Sequence, residues 1–197
     1  MSEPLLLVLV GTDIHPFDRL VVWVQRWLTD RGSTAPRCVM QRGTSTPPDE
    51  PATSVAFFPH EELQRTVREA AIVVSHGGPA TITECRRSGR LPIVVPRDPA
   101  LREHVDGHQQ RFARMFARSG LIRLAESEAD LRAALDQAMA QPDAFNVASP
   151  REQVNNGEAP EPVRRVGDVI DALVAARRPS ALGWGRRSLR SRRTISR

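Results

Sequence analysis

Gly77-Gly78-Pro79 stands between a short apolar run, Ala71-Ile72-Val73-Val74, and a segment of helical character, Ile82-Thr83-Glu84-Cys85-Arg86-Arg87. A glycine pair joining a strand to a helix leaves backbone N–H groups uncovered at the helix N-terminus, where the helix dipole also favours negative charge. The chemistry such a turn supports is retention of a phosphate or diphosphate. Ser75, His76 and Thr81 flank it, and Glu84 follows one turn into the helix, within reach of a ribose hydroxyl. The stretch is not a P-loop, since no Gly-Lys-Ser/Thr follows, and it is not the Gly-x-Gly-x-x-Gly dinucleotide fingerprint. A glycine pair can also serve only to reverse the chain, and His76 can be a satisfied buried histidine.

Two further stretches carry reactive or polar side chains at comparable places. Gly11-Thr12-Asp13-Ile14-His15-Pro16-Phe17-Asp18 follows an apolar run and opens a helix. There Gly11 permits close backbone approach and Thr12 can donate to a phosphate. Asp13 and His15 are the internal candidates for a general base. Thr-Asp is also a common turn, and Asp18 a common first-turn acid. The second stretch, Asp106-Gly107-His108-Gln109-Gln110, precedes the apolar positions of another helix. Gln109 and Gln110 offer paired donors and acceptors suited to sugar hydroxyls, with His108 beside them. His104 and His108 lie four apart, a spacing that places two metal ligands on one helix face. No third ligand is evident, so no metal site is expected.

Short β-type runs alternating with helical patterns must position these motifs, an arrangement that predicts a parallel sheet covered on both faces. The strands are expected at 5–10, 37–41, 54–58, 72–75, 92–95 and 121–124. The helices are expected at 17–31, 60–70, 80–88, 103–119, 126–140 and 162–178. Leu20, Val21, Val24, Trp27 and Leu28 recur at helical spacing and mark a core-facing stripe. Gly32 and Gly120 fit helix stops. The expected fold class is α/β, a Rossmann-like doubly wound parallel sheet over residues 1–142. A proline-rich linker at 143–161, a helix at 162–178 and a basic, disordered tail at 179–197 are expected to follow. In an open parallel sheet ligands bind outside the carboxyl ends of the strands, and all three motifs fall there.

Composition narrows the classes. Of 197 residues, 40% are hydrophobic and 26% charged, which suits a soluble globular chain. The longest apolar run, residues 5–10, is far short of a membrane span, and no leader precedes it. Cys38 and Cys85 lack metal-type spacing and read as free thiols of a cytoplasmic protein. The net charge of +5 arises in the tail, where residues 179–197 hold six arginines and no acid; without them the charge is −1. A near-neutral folded part with 5% aromatics argues against nucleic-acid binding. Trp184 and Leu189 among the tail arginines suit peripheral contact with an anionic membrane at the inner face of the plasma membrane.

Together the three motifs resemble the C-terminal, nucleotide-sugar-binding half of GT-B glycosyltransferases of the family 28 type. The chain is most similar to the small catalytic subunits of two-component exopolysaccharide and dolichol-linked GlcNAc transferases. The resemblance rests on Val10-Gly11-Thr12, Pro16 to Val21, Ser75 to Gly78, Glu84, Pro92 to Pro96 and His108-Gln109, and covers residues 5–140. It implies transfer from a UDP-sugar or similar donor to a polyprenyl-linked acceptor, with no cofactor. By resemblance Gly77, Gly78 and Thr81 sit at the diphosphate, Glu84 binds the ribose, and Gln109 and Gln110 approach the donor sugar. Gly11 and Thr12 would line the cleft. The acceptor-binding half of the fold has no counterpart here, so a membrane-anchored acceptor-binding subunit, or a homo-oligomer, is the expected partner.

Metal-dependent transferases of the GT-A type hold their ion on Asp-x-Asp, which occurs nowhere in this chain. A helix N-terminus can take the place of that ion at the leaving diphosphate, which leads to the expectation of metal-independent, inverting transfer. The alternative is a non-catalytic nucleotide-sugar-binding or regulatory protein.

Overall fold

The computed structural model describes residues 3–147. The expected helix at 162–178, the basic tail and most of the expected linker lie outside the described residues. Six parallel strands form one sheet in the order β3-β2-β1-β4-β5-β6. They are β1 (Leu5–Leu9), β2 (Arg37–Gln41), β3 (Thr53–Val55), β4 (Ile72–Ser75), β5 (Ile93–Val94) and β6 (Arg123–Leu124). The helices are α1 (Asp18–Arg31), α2 (His60–Glu69), α3 (Pro79–Arg87), α4 (His108–Arg118) and α5 (Glu128–Ala140).

The side-chain alternation of β1 shows why both faces are covered. Leu6, Val8 and Val10 join one apolar cluster with the buried stripe of α1 and with Leu131, Ala134 and Leu135 of α5. Leu5, Leu7 and Leu9 face the other way, toward Val67 of α2 and Cys85 of α3. Successive residues of a strand point to opposite faces, so a run apolar at every position specifies a central strand sandwiched between helices. A third cluster seats α4, through Ala113 and Phe116, against Ile82 and Val94. Trp27 is buried where α1 meets α5 and donates its indole N–H to Asp136 Oδ1 at 2.9 Å. This arrangement satisfies the polar edge of a large apolar ring.

Most expected elements occur within a residue or two of their predicted bounds, with β3, β5 and β6 shorter than anticipated. One difference bears on the site. The helix expected from residue 103 begins only at His108. Residues 103–107 are held in turns because their polar groups are committed elsewhere. The Glu103 carboxylate takes Arg19 and the Asp98 N–H. Asp106 Oδ1 accepts the His108 N–H at 2.8 Å, a local bond that competes with helix continuation. At the far end, Phe145 is buried, Arg90 and Asn146 form an antiparallel bridge, and the Val147 N–H donates to Gly89 O at 3.0 Å.

Candidate functional site

The strand order reverses direction between β1 and β4, so the loops leaving these two strands diverge and open a crevice at their carboxyl ends. Gly11 and Thr12 line it from β1, and His76, Gly78, Pro79, Ala80 and Thr81 from β4 and the start of α3. The cavity there is roughly 370 Å³. It adjoins a second of roughly 440 Å³ that runs along α3 past Thr83, Glu84 and Arg87. The two share His60, Leu63, Pro79, Ala80 and Thr81, and together make one trough over the first turns of α3.

The glycines of this trough are there for the ring of His76. A Cβ at Gly11 (φ +90) would lie 2.8 Å from that ring, and one at Gly78 would lie 2.6 Å from its Nε2. The imidazole is therefore clamped between two bare backbones, with its Nδ1 held 3.3 Å from Leu9 O. Burial pushes the His76 pKa down to about 4, and the Arg97 cation adds to the effect, although part of the residue still lines the cavity. At neutral pH the ring is an uncharged spacer. Gly78 caps α3 with no side-chain hydrogen bond and Pro79 occupies the first helical position. The N–H groups of Ala80 and Thr81 consequently belong to the uncovered first turn. Ser75, by contrast, is fully buried with no partner for its Oγ among the described residues, and it takes no place on the trough wall.

A second region lies beside the trough and is built from side chains. Asp13 Oδ1 accepts both the backbone N–H of His15, at 2.8 Å, and its ring Nδ1, at 2.6 Å. Asp13 Oδ2 stands 3.3 Å from His104 Nε2. Partial burial alone would raise the Asp13 pKa, but the His15 hydrogen bonds, Arg97 and His104 outweigh it and hold the carboxyl below its usual range. An ionised Asp13 fixes the proton of His15 on Nδ1 and leaves Nε2 with a lone pair, the state a general base requires. The same device recurs across the cluster, where Asp106 Oδ1 accepts the backbone N–H and the ring Nδ1 of His108. His104 sits between the two units, its ring centre 6.4 Å from that of His15 and 4.6 Å from that of His108.

Sequence reasoning missed the residue that fastens these loops. Arg97, 1% exposed, donates to the carbonyls of His15 (2.7 Å), Glu103 (2.8 Å) and Val10 (2.7 Å), and its guanidinium lies 4.9 Å from the Phe17 ring centre. Arg19 grips both oxygens of Glu103, at 2.8 and 2.6 Å, in a largely buried pair. A charged residue directly after the apolar run Ile93 to Pro96 was the available signal. Phe57, Phe58, His60 and Gln64 on the trough wall also went unread; the exposed Phe57 beyond β3 was their only mark.

Gln109 and Gln110 part company. Gln109 is buried, with its Oε1 3.4 Å from the Arg97 N–H, whereas Gln110 is half-exposed beside His108. The loops after β1, β4 and β5 thus meet in a chain of contacts, Gly78 to His76 to Gly11 and Asp13 to His104. The trough and the imidazole cluster flank the first loop.

Comparison with known proteins agrees with this architecture. The profile of the glycosyltransferase family 28 C-terminal domain matches residues 5–160. Among solved structures the fold is similar to the glycotransferase of kitacinnamycin (TM-score 0.56, 17% identity, 89% of this chain and 42% of that one). It is also similar to the glycosyltransferase VinC in complex with dTDP (0.52, 19%, 88% and 42%) and to Acinetobacter baumannii MurG (0.53, 16%, 87% and 51%). The chain spans about half, or less, of the length of these proteins. No curated protein matches the sequence significantly. Matched over most of its length, and with its motifs at the carboxyl edge of a Rossmann-like sheet of GT-B type, the chain belongs to the family of glycosyltransferase family 28 C-terminal domains.

Proposed function

We propose that this chain binds the nucleotide-sugar donor, a UDP-sugar, of a metal-independent inverting glycosyltransferase and carries that enzyme's internal base. The observation that carries the reading is the uncovered first turn of α3, opening on a cavity at the topological switch point. Two phosphates seated there meet backbone N–H groups and the positive end of a helix dipole, which stabilise charge as it develops on the departing diphosphate. Glu84, one turn along the second cavity, is placed for the ribose hydroxyls, and Thr12 and Thr81 for phosphate oxygens. Gln110 and His108, at the start of α4, are assigned to the donor sugar in this reading. The dTDP complex of VinC supports a nucleoside diphosphate in this kind of fold.

In such a transfer the acceptor hydroxyl attacks the anomeric carbon from the face opposite the diphosphate. The oxygen–carbon bond forms as the carbon–phosphate-oxygen bond breaks, and the hydroxyl proton leaves to a base. His15 Nε2, oriented by Asp13 through Nδ1, takes that proton in our reading. The acceptor is polyprenyl-linked and is presented by a membrane-anchored partner subunit, or by a second copy, on the cytoplasmic side of the plasma membrane.

Calorimetric titration of the full chain with UDP, dTDP and UDP-GlcNAc tests the binding half of the proposal. Saturable binding should weaken about tenfold in Glu84→Ala, as expected for the loss of a charge-assisted bond to a ribose hydroxyl. Gly78→Ala, whose new Cβ has no room beside His76, should abolish it. Failure of all three nucleotides to bind the wild type refutes the reading.

A further inference from the structure

Delayed entry into α4 brings together side chains that a continuous helix would have spaced differently. The ligand atoms of His104, Asp106 and His108 all lie within 4.8 Å of one another. The imidazoles of His104 and His108 stand with centres 4.6 Å apart and planes at 82°. Two imidazoles bound to one ion at about 2.1 Å, meeting at roughly 90–110°, put their ring centres about 4.6–5.4 Å apart. A carboxylate ligand must lie within about 4.2 Å of each nitrogen, a distance the exposed Asp106 approaches.

The outer partners point the same way. His104 Nε2 is directed at Asp13 Oδ2, and Asp106 N donates toward His104 Nδ1 at 3.4 Å, which makes Nδ1 the nitrogen with the lone pair. His108 Nδ1 and Asp106 Oδ1 meet across one proton, which an ion bound to both atoms would displace. A metal-binding histidine characteristically has its other nitrogen tied to a carboxylate or carbonyl, and His104 is tied in that way through Nε2 to Asp13. The loop that carries them rests on a buried frame, with the Glu103 carbonyl on Arg97 and its carboxylate on Arg19 and the Asp98 N–H. Outside the frame, Val105 is 77% exposed, which leaves the approach to the cluster open.

We infer that His104, Asp106 and His108 form a binding site for a borderline divalent transition metal, with zinc as its representative. Two imidazole nitrogens and one carboxylate select this class over magnesium or calcium, which require all-oxygen sites. Three protein ligands leave at least one position to water or to an outside ligand. An ion there would also engage His104, the second partner of Asp13, and thereby link metal occupancy to the setting of His15. The site stands or falls without the glycosyl-transfer reading, because its test measures the ion alone.

The experiment is titration of the full chain, prepared without a histidine tag and treated with chelator, with zinc by calorimetry and with cobalt by visible absorption. One equivalent should bind with a dissociation constant on the order of 10 μM, with the cobalt complex showing d–d bands. His104→Ala and His108→Ala should each weaken binding at least 30-fold, and a tenfold excess of magnesium should not compete. His60→Ala, outside the cluster, should bind as the wild type does. Melting curves in chelator establish that each variant is folded, and Asp106→Asn replaces any that is not. Absence of binding below millimolar zinc, or unchanged binding in the His104→Ala/His108→Ala double variant, overturns the proposal.

Discussion

Two regions share the loop after β1 and are built on opposite terms. The trough over α3 is made of backbone: bare glycines, an uncovered helix turn and a neutral imidazole used as a spacer. The neighbouring cluster is made of side chains, with three histidines and two aspartates joined by hydrogen bonds and suspended from Arg97 and Glu103. A site of backbone dipoles accepts charge without changing protonation. A site of imidazoles and carboxylates moves protons or holds ions but must be braced. In the proposed reaction the pairing separates holding a charged leaving group from handling a proton, and the two can be broken independently.

Replacing His15 with alanine is the sharpest break. Turnover, assayed with the acceptor-presenting partner, should fall about 10²–10⁴-fold while nucleotide affinity stays within twofold. An equal loss in both would mean that the two regions are one. Acid should expose the cost of the trough's neutral spacer. The His76 pKa is about 4 in the fold and ~6.5 in an unfolded chain, so between these values the unfolded state binds the extra proton. Stability from this group is whole above pH 6.5 and disappears as pH falls to 4, a loss of up to about 3 kcal/mol. Urea unfolding at pH 7, 5.5 and 4 should show it, and His76→Asn should flatten the slope. Asp13 acts in the same direction but only below its own ordinary range. Arg97→Met is the smallest of the three, costing about 2 kcal/mol by leaving carbonyls of the first and fifth loops unpaired. It should lower turnover and, if the metal assignment holds, zinc affinity, with less effect on UDP affinity. The reverse order would place its influence in the trough.

What the sequence disclosed follows the same division. The alternation through β1, the stripe of α1 and the strand–glycine–helix passage at Gly77-Gly78 are periodic or local signals, and the parallel sheet with the uncovered start of α3 could be read from them. Why Gly11 and Gly78 are glycines could not be read, because the reason is where the His76 ring lies, across Gly78 in its own loop and against Gly11 in the loop after β1. His104 and His108 were read as one helix face without a third ligand. The commitments of Glu103 and Asp106 prevent that helix and set Asp106 beside both rings, and these are long-range or side-chain bonds invisible to periodicity. Gln109 looked like a sugar ligand by type and neighbourhood, yet its carbonyl is given to Arg97. Buried polar residues that tie loops together carry no pattern of their own.

The bridge between Arg90 and Asn146 also has a practical meaning. Arg90 precedes β5, so Val147, the last described residue, lies at the pole of the sheet where strands begin, while the trough and the imidazole cluster occupy the pole where they end. A probe carried at Val147 therefore stands a full strand length from the trough, about 17 Å for five residues. A label at that position should therefore leave the mouth of the trough clear.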